Sequence, residues 1–220
     1  MIGGDKAKGE RIAVKDLRKR EEVSKLTDTP YLNLYQIKTE DRKGEELNYY
    51  FASRREKGAL KINTGENEPE GVTVFAVTRE CPRRLLLIEE YRYPLGKAVY
   101  DVPAGMIDPG EDGSRAAIRE VREETGMCLE ICQGMEAFSE NAAFMTPGMT
   151  DESNVTFFGY VTGEADSRYQ EDEEDIQVRF LGKDQVRRVI RQESITARAL
   201  YAMMLFLMMD EAEPYGAFLR

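Results

Sequence analysis

Between Gly105 and Met127 the chain reads GMIDPGEDGSRAAIREVREETGM, and no other stretch constrains the fold as tightly. Gly105, Glu111, Arg119, Glu120, Glu123, Glu124 and Gly126, with apolar Val121 and Met127, fit G-x5-E-x7-R-E-U-x-E-E-x-G-U without deviation, where U is apolar. At roughly 7% usage per common residue, seven fixed positions coincide by chance at about 10⁻⁸ per starting point. The turn formers Asp108, Pro109, Gly110, Asp112 and Gly113 predict a loop, followed by a helix over residues 114–125. Ser114 or Asp112 suits the helix start, and Gly126 sits where a terminating glycine belongs.

On that helix Glu120 and Glu124 are spaced i, i+4, so their carboxylates share a face, with Glu123 beside both. Like charges at this spacing cost an isolated helix a few tenths of a kcal/mol. A divalent cation reverses the sign, because carboxylate oxygens are what Mg²⁺ prefers. A solvated face is the plain reading of most Glu-rich helices. The glycines and Glu111 at fixed offsets argue against it here.

The chain has 220 residues, enough for one domain with an extension. Its formal charge is −10 and basic residues form no long run, which argues against a nucleic-acid partner. An acidic protein can still act on phosphates, since bound cations set the local field. There is no histidine, so catalysis has to rest on carboxylates, Lys, Tyr or Cys. Three cysteines without a secretory signal point to the cytoplasm. The longest apolar run, residues 199–209, is too short to span a bilayer, so no membrane partner is expected.

Along the chain, residues 15–25 read as a charged helix or a mobile segment. Strands are expected at residues 31–40 and 46–54, joined by the turn Asp41-Arg42-Lys43-Gly44. Further strands follow at 72–78, 85–90 and 99–102 before the glutamate helix, and at 154–161 and 176–181 after it. An acidic loop lies between those last two, and helices at 183–191 and 194–210 close the chain. This alternation predicts an α/β (α+β) fold, with an N-terminal antiparallel β element over residues 1–62 ahead of a domain spanning 63–220.

The Gly105–Met127 pattern resembles the Nudix box of the Nudix hydrolase family. Glu90-Tyr91-Arg92-Tyr93-Pro94-Leu95-Gly96, Asp101-Val102-Pro103-Ala104-Gly105 and Phe144-Met145-Thr146-Pro147-Gly148 are similar to segments of its ADP-ribose pyrophosphatases and nucleoside-diphosphate-sugar relatives. Asp101 departs from the Glu that many of them carry, which leaves its place in an outer metal shell open. The resemblance implies an α/β/α sandwich with a mixed sheet, and Mg²⁺ (or Mn²⁺) as cofactor. Carried over, Glu120 and Glu124 are metal ligands, Glu123 assists, and the Ala104 carbonyl adds a backbone ligand. Glu111 and Arg119 pair to hold the helix. Glu174, in the acidic run of residues 171–175, is the first choice for orienting the attacking water. Arg92 and Arg54 correspond to diphosphate-holding residues, and Tyr31 and Tyr49 to aromatics around the base, in a site shared by a homodimer. The implied reaction is hydrolysis of ADP-ribose to AMP and ribose 5-phosphate. A GDP- or UDP-hexose is the alternative substrate, and a Nudix ligand sensor that does not cleave is a third reading, disfavoured by the intact box.

Overall fold

A computed structural model of the protein describes residues 20–170 and 175–218, and within these the chain divides into two units. Among the described residues, the first runs from residue 20 to residue 65 together with Thr146–Asp151. Strands β1 (Arg20–Lys25), β2 (Asn33–Glu40) and β3 (Glu46–Ser53) form an antiparallel sheet in that order, followed by one turn of helix, α1 (Lys61–Thr64). The expected turn between β2 and β3 forms because the Asp41 carboxylate accepts from the backbone of Lys43 and Glu45, while Gly44 takes φ +85°. Val23, Tyr35, Phe51 and Leu60 make a small core, in which Tyr35 stacks on Phe51 and donates to the Arg55 carbonyl at 2.7 Å. The Pro147-Gly148 loop closes this unit: Ala52 donates to the Met149 carbonyl, and the Tyr49 hydroxyl to that of Gly148.

The reading of residues 15–25 as a charged helix or a mobile segment needs correction. Residues 20–25 are a strand, and the two-stranded element expected there has three strands. Residues 15–19 lie outside the described residues. A charged segment without periodicity carries no strand signal of its own; its pairing with β2 supplies the backbone hydrogen bonds.

The second unit holds an eight-stranded mixed sheet. Strands β4 (Gly71–Thr78), β5 (Leu85–Arg92), β6 (Lys97–Asp101) and β7 (Ala104–Met106) precede helix α2 (Gly113–Thr125). Then come β8 (Cys128–Ile131), β9 (Ala143–Phe144), β10 (Ser153–Thr162), β11 (Ile176–Leu181), α3 (Lys183–Gln192) and α4 (Ala197–Met208). The main order is β11-β5-β4-β10-β8, with β4 and β10 parallel; β6 pairs with β5, β7 with β4 and β9 with β10. No helix among the described residues is long and apolar enough to cross a membrane.

Strand β4 is buried on both sides, which is why GVTVFAVT reads as an apolar run rather than an alternation. Val72, Val74 and Ala76 face α2, meeting Ala116, Ala117 and Val121; Phe75 and Val77 face α3 and α4, meeting Val186, Met203 and Phe206. The result is the expected helix–sheet–helix sandwich. Leu87 sits within the α4-side core at zero exposure. We expect Leu87→Ala to lower stability by about 2–5 kcal/mol in urea unfolding; a loss below about 1 kcal/mol would contradict this placement.

Candidate active site

The glutamate-rich helix is held at both ends by its own sequence. Asp112, rather than Ser114, is the N-cap: its Oδ1 accepts from the backbone N–H of Ser114 and of Arg115, both at 3.0 Å. The Ser114 hydroxyl and these backbone donors hold the Asp112 carboxyl below its usual range. At the other end Gly126 has φ +73°, and a Cβ there would lie 2.6 Å from the Asp166 backbone. Both facts demand glycine.

Between these ends Arg119 gathers the acidic side chains. Its Nε and one terminal nitrogen donate to the two oxygens of Glu111 at 3.1 and 2.8 Å; the other terminal nitrogen donates to Glu120 and Glu123, both at 2.9 Å. A further bond reaches the Met106 carbonyl at 2.8 Å. Glu111 chiefly, then Glu123 and Glu120, raise the Arg119 pKa despite the opposing effect of burial. In return the Arg119 hydrogen bonds hold the Glu111 carboxyl below its ordinary value, aided by the Asp108 N–H. The fork geometry of guanidinium is what allows one side chain to meet three carboxylates.

The remaining face of α2 presses on β7. A Cβ on Gly105 would lie 2.0 Å from the Glu120 carboxyl carbon, so only glycine leaves room for that carboxylate. Glu124 accepts from the Ala104 N–H at 3.3 Å. Glu120 and Glu124 are both buried, and the structure thus brings Ala104, Gly105, Glu111, Arg119, Glu120, Glu123 and Glu124 together as the sequence suggested. Among the described residues no three acidic, His or Cys side chains converge tightly enough to cage an ion by themselves. Mg²⁺ does not require this, because it binds through one or two carboxylates and completes its shell with water and substrate phosphate. Glu120 and Glu124 fit that role.

Downstream, the Gln170 side chain donates to the carbonyls of Glu124 and Ile176, at 2.9 and 3.0 Å. The flank of the acidic run is therefore fixed against the end of α2. Glu174, with residues 171–173, lies outside the described residues. Arg92 reaches Glu90 at 2.7 Å and Asp101 at 3.5 Å and remains partly exposed. In the other unit Tyr31 is 78% exposed and Arg54 is also exposed.

Against known proteins, the NUDIX domain model matches residues 69–202, which includes every residue of this carboxylate frame. The chain belongs to the NUDIX domain family. It is 28% identical to the ADP-ribose pyrophosphatase of Bacillus subtilis over 66% of this chain and 75% of that one. To the ADP-ribose pyrophosphatase of Saccharomyces cerevisiae it is 27% identical, over 70% of this chain and 61% of that one. A putative Nudix hydrolase 2 of Caenorhabditis elegans is 37% identical, though the match spans under half of either chain (46% and 44%). Among solved structures, a crystal structure of an ADP compounds hydrolase superposes with a TM-score of 0.59 at 18% identity, over 85% of this chain and 90% of that one. That likeness concerns the Nudix fold.

One cluster was not foreseen. Asp101 has no exposed surface and accepts from Val102 N, Thr196 Oγ1 and two nitrogens of Arg198 (2.8 and 2.6 Å). Its oxygens are committed to these donors and to Arg92, so it serves as an anchor for the start of α4. Burial opposes the charge on Arg198, but the Asp101 bonds outweigh it and raise the pKa. A carboxylate before Pro-Ala-Gly was the only sequence hint; nothing local marks Arg198, 97 residues away.

Gly105→Ala should push Glu120 aside. We expect at least a tenfold loss of turnover and about 1–3 kcal/mol of destabilisation from overpacking. Unchanged kinetics would show that the close approach of β7 to Glu120 has no functional weight.

Proposed function

We propose that this Nudix protein hydrolyses the diphosphate bond of ADP-ribose, in a Mg²⁺-dependent reaction giving AMP and ribose 5-phosphate. The observation that carries the proposal is the buried pair Glu120 and Glu124 against the β7 backbone, Glu120 held by Arg119 and by the missing Cβ of Gly105, Glu124 by the Ala104 N–H. ADP-ribose is preferred to GDP- or UDP-hexoses because two of the similar proteins bear the name ADP-ribose pyrophosphatase.

In this reading Glu120 and Glu124 hold the cation, Glu123 assists, and the Ala104 carbonyl contributes a backbone oxygen. When bound, Mg²⁺ neutralises charge developing on the diphosphate and lowers the pKa of a coordinated water. Arg92 and Arg54 bind diphosphate oxygens through paired guanidinium donors. Water is oriented by a carboxylate outside the helix, for which we assign Glu174. The Gln170 anchor supports this, since it ties the start of that loop to the carbonyl of Glu124. Tyr31 and Tyr49 offer ring faces to the base, and β1–β3 of one copy serve the site of a second in a homodimer.

Glu120→Gln and Glu124→Gln should each cut turnover by about two orders of magnitude or more while the fold persists, because an amide cannot replace charge facing the cation. Near-wild-type rates for both at limiting Mg²⁺ would remove the metal assignment. Glu174→Gln should depress kcat with little change in KM; silence there, with a strong effect at Glu171, Asp172, Glu173 or Asp175, would reassign the water to that neighbour. Sedimentation at micromolar concentration should give a dimer, and an active monomer would reject the shared site.

A further inference from the structure

On the α4 side of the sheet lies a cavity of about 330 Å³, bounded by β4, β10, residues 143–145 and α4. We propose that it receives the sugar on the far side of the diphosphate, with Arg198 and Thr156 meeting its hydroxyls and Tyr201 or Phe144 covering its ring. This rests on the diphosphatase reading and adds to it the place of the sugar.

The register of the parallel pair builds the cavity with a polar end and an apolar end. Thr73 lies opposite Thr156, and two residues further on Phe75 lies opposite Phe158. All four side chains line the space. Backbone pairing ties the threonine rung to the carboxylate site across the sheet: Thr73 pairs with Ala104, whose N–H bonds to Glu124. A group linked to a diphosphate at Glu124 would therefore meet the polar rung first. Asn154, one rung nearer the strand start, has a buried Oδ1 with no partner among the described residues. A ligand hydroxyl would satisfy it once the amide turns towards the cavity.

Arg198 gives the polar end its charge. Asp101 grips its Nε and one terminal nitrogen, while the other terminal nitrogen makes no hydrogen bond among the described residues. The guanidinium is thus fixed in direction with donors to spare, and it lies within the electrostatic reach of Glu124 and Glu152. Phe144 and Tyr201, 50% and 68% exposed, stand at the cavity wall as apolar faces of the kind that the C–H face of a sugar ring covers. At about 330 Å³ the cavity has room for a sugar ring and lies at the lower end of the range of about 300 to 1,000 Å³ for ligand sites.

Arg198 is unsuited as a first probe, because its loss leaves the buried Asp101 charge unpaired. Thr156→Val is isosteric, and Tyr201→Ala changes an exposed side chain. For each we would compare KM for ADP-ribose with KM for the β-methyl ester of ADP, which keeps the diphosphate and lacks the sugar. Ribose 5-phosphate would be titrated calorimetrically into the same proteins with Mg²⁺ present. The expected result is a rise of about threefold to tenfold in the ratio of the two KM values, the effect of one lost hydrogen bond or ring contact, with a matching loss of ribose 5-phosphate affinity. An unchanged ratio together with unchanged ribose 5-phosphate binding in both variants would overturn the inference. If the wild type cleaves no nucleoside diphosphate derivative, the diphosphatase reading falls. The titration then decides the cavity alone: binding weakened by either variant supports it, and binding indifferent to both rejects it.

Discussion

Everything at the candidate site depends on the ion cluster centred on Arg119. Three glutamates converge on one guanidinium, and two of the carboxylates, those of Glu111 and Glu120, are largely withdrawn from water. Removing the cation from such a cluster leaves uncompensated charge, a change that typically costs about 3–5 kcal/mol when the partners are buried. Arg119 also bonds the Met106 carbonyl at the end of β7, so the same side chain that balances the charges fixes the helix to the strand. Gly105 completes the arrangement by leaving the space that the Glu120 carboxylate occupies. The acidic groups are consequently mounted on a helix and a strand rather than on mobile loops, which favours a site with precise geometry.

A second ion cluster does comparable work on the other face of the sheet. Asp101 ends β6, Thr196 caps α4, and Arg198 follows two residues later, so their bonds lock the start of α4 to the strand that leads into Pro103-Ala104-Gly105. The segment carrying the Ala104 carbonyl and Gly105 is therefore held from both sides: by Arg119 and α2 on one, by Asp101 and α4 on the other. Strands β4 and β10 connect the two, since Val72 and Val155 pack towards α2 while Thr73 and Thr156 face the cavity beneath α4.

The sequence made the α2 region legible because its determinants are local. A cap, a charge pattern of period 3.6 and a terminating glycine lie within a short stretch, and the structure reproduces each of them. It left open which of Asp112 and Ser114 caps the helix, and the hydrogen bonds choose Asp112. Strand β1 was not legible as a strand, reading instead as a helix or a mobile segment, because its stability lies in pairing with β2, which no local pattern records. The anchoring role of Asp101 was equally hidden: its partners Thr196 and Arg198 come from the far end of the chain, inside a stretch that reads as an ordinary helix start. The division into two faces of one sheet was visible only as an unusually continuous apolar run in β4.

In the proposed reading, Glu120 and Glu124 bind a divalent cation jointly with a diphosphate, neither alone making a complete site. Two ligands that complete one coordination shell must strengthen each other reciprocally. The direct test is calorimetric titration of Mg²⁺ into the wild-type protein, with and without an ADP-ribose analogue whose bridging oxygen is replaced by methylene. The analogue should tighten Mg²⁺ binding by at least about tenfold, roughly 1.4 kcal/mol of coupling, and Mg²⁺ should tighten the analogue equally. Mg²⁺ affinity that is the same with and without the analogue would contradict that reading.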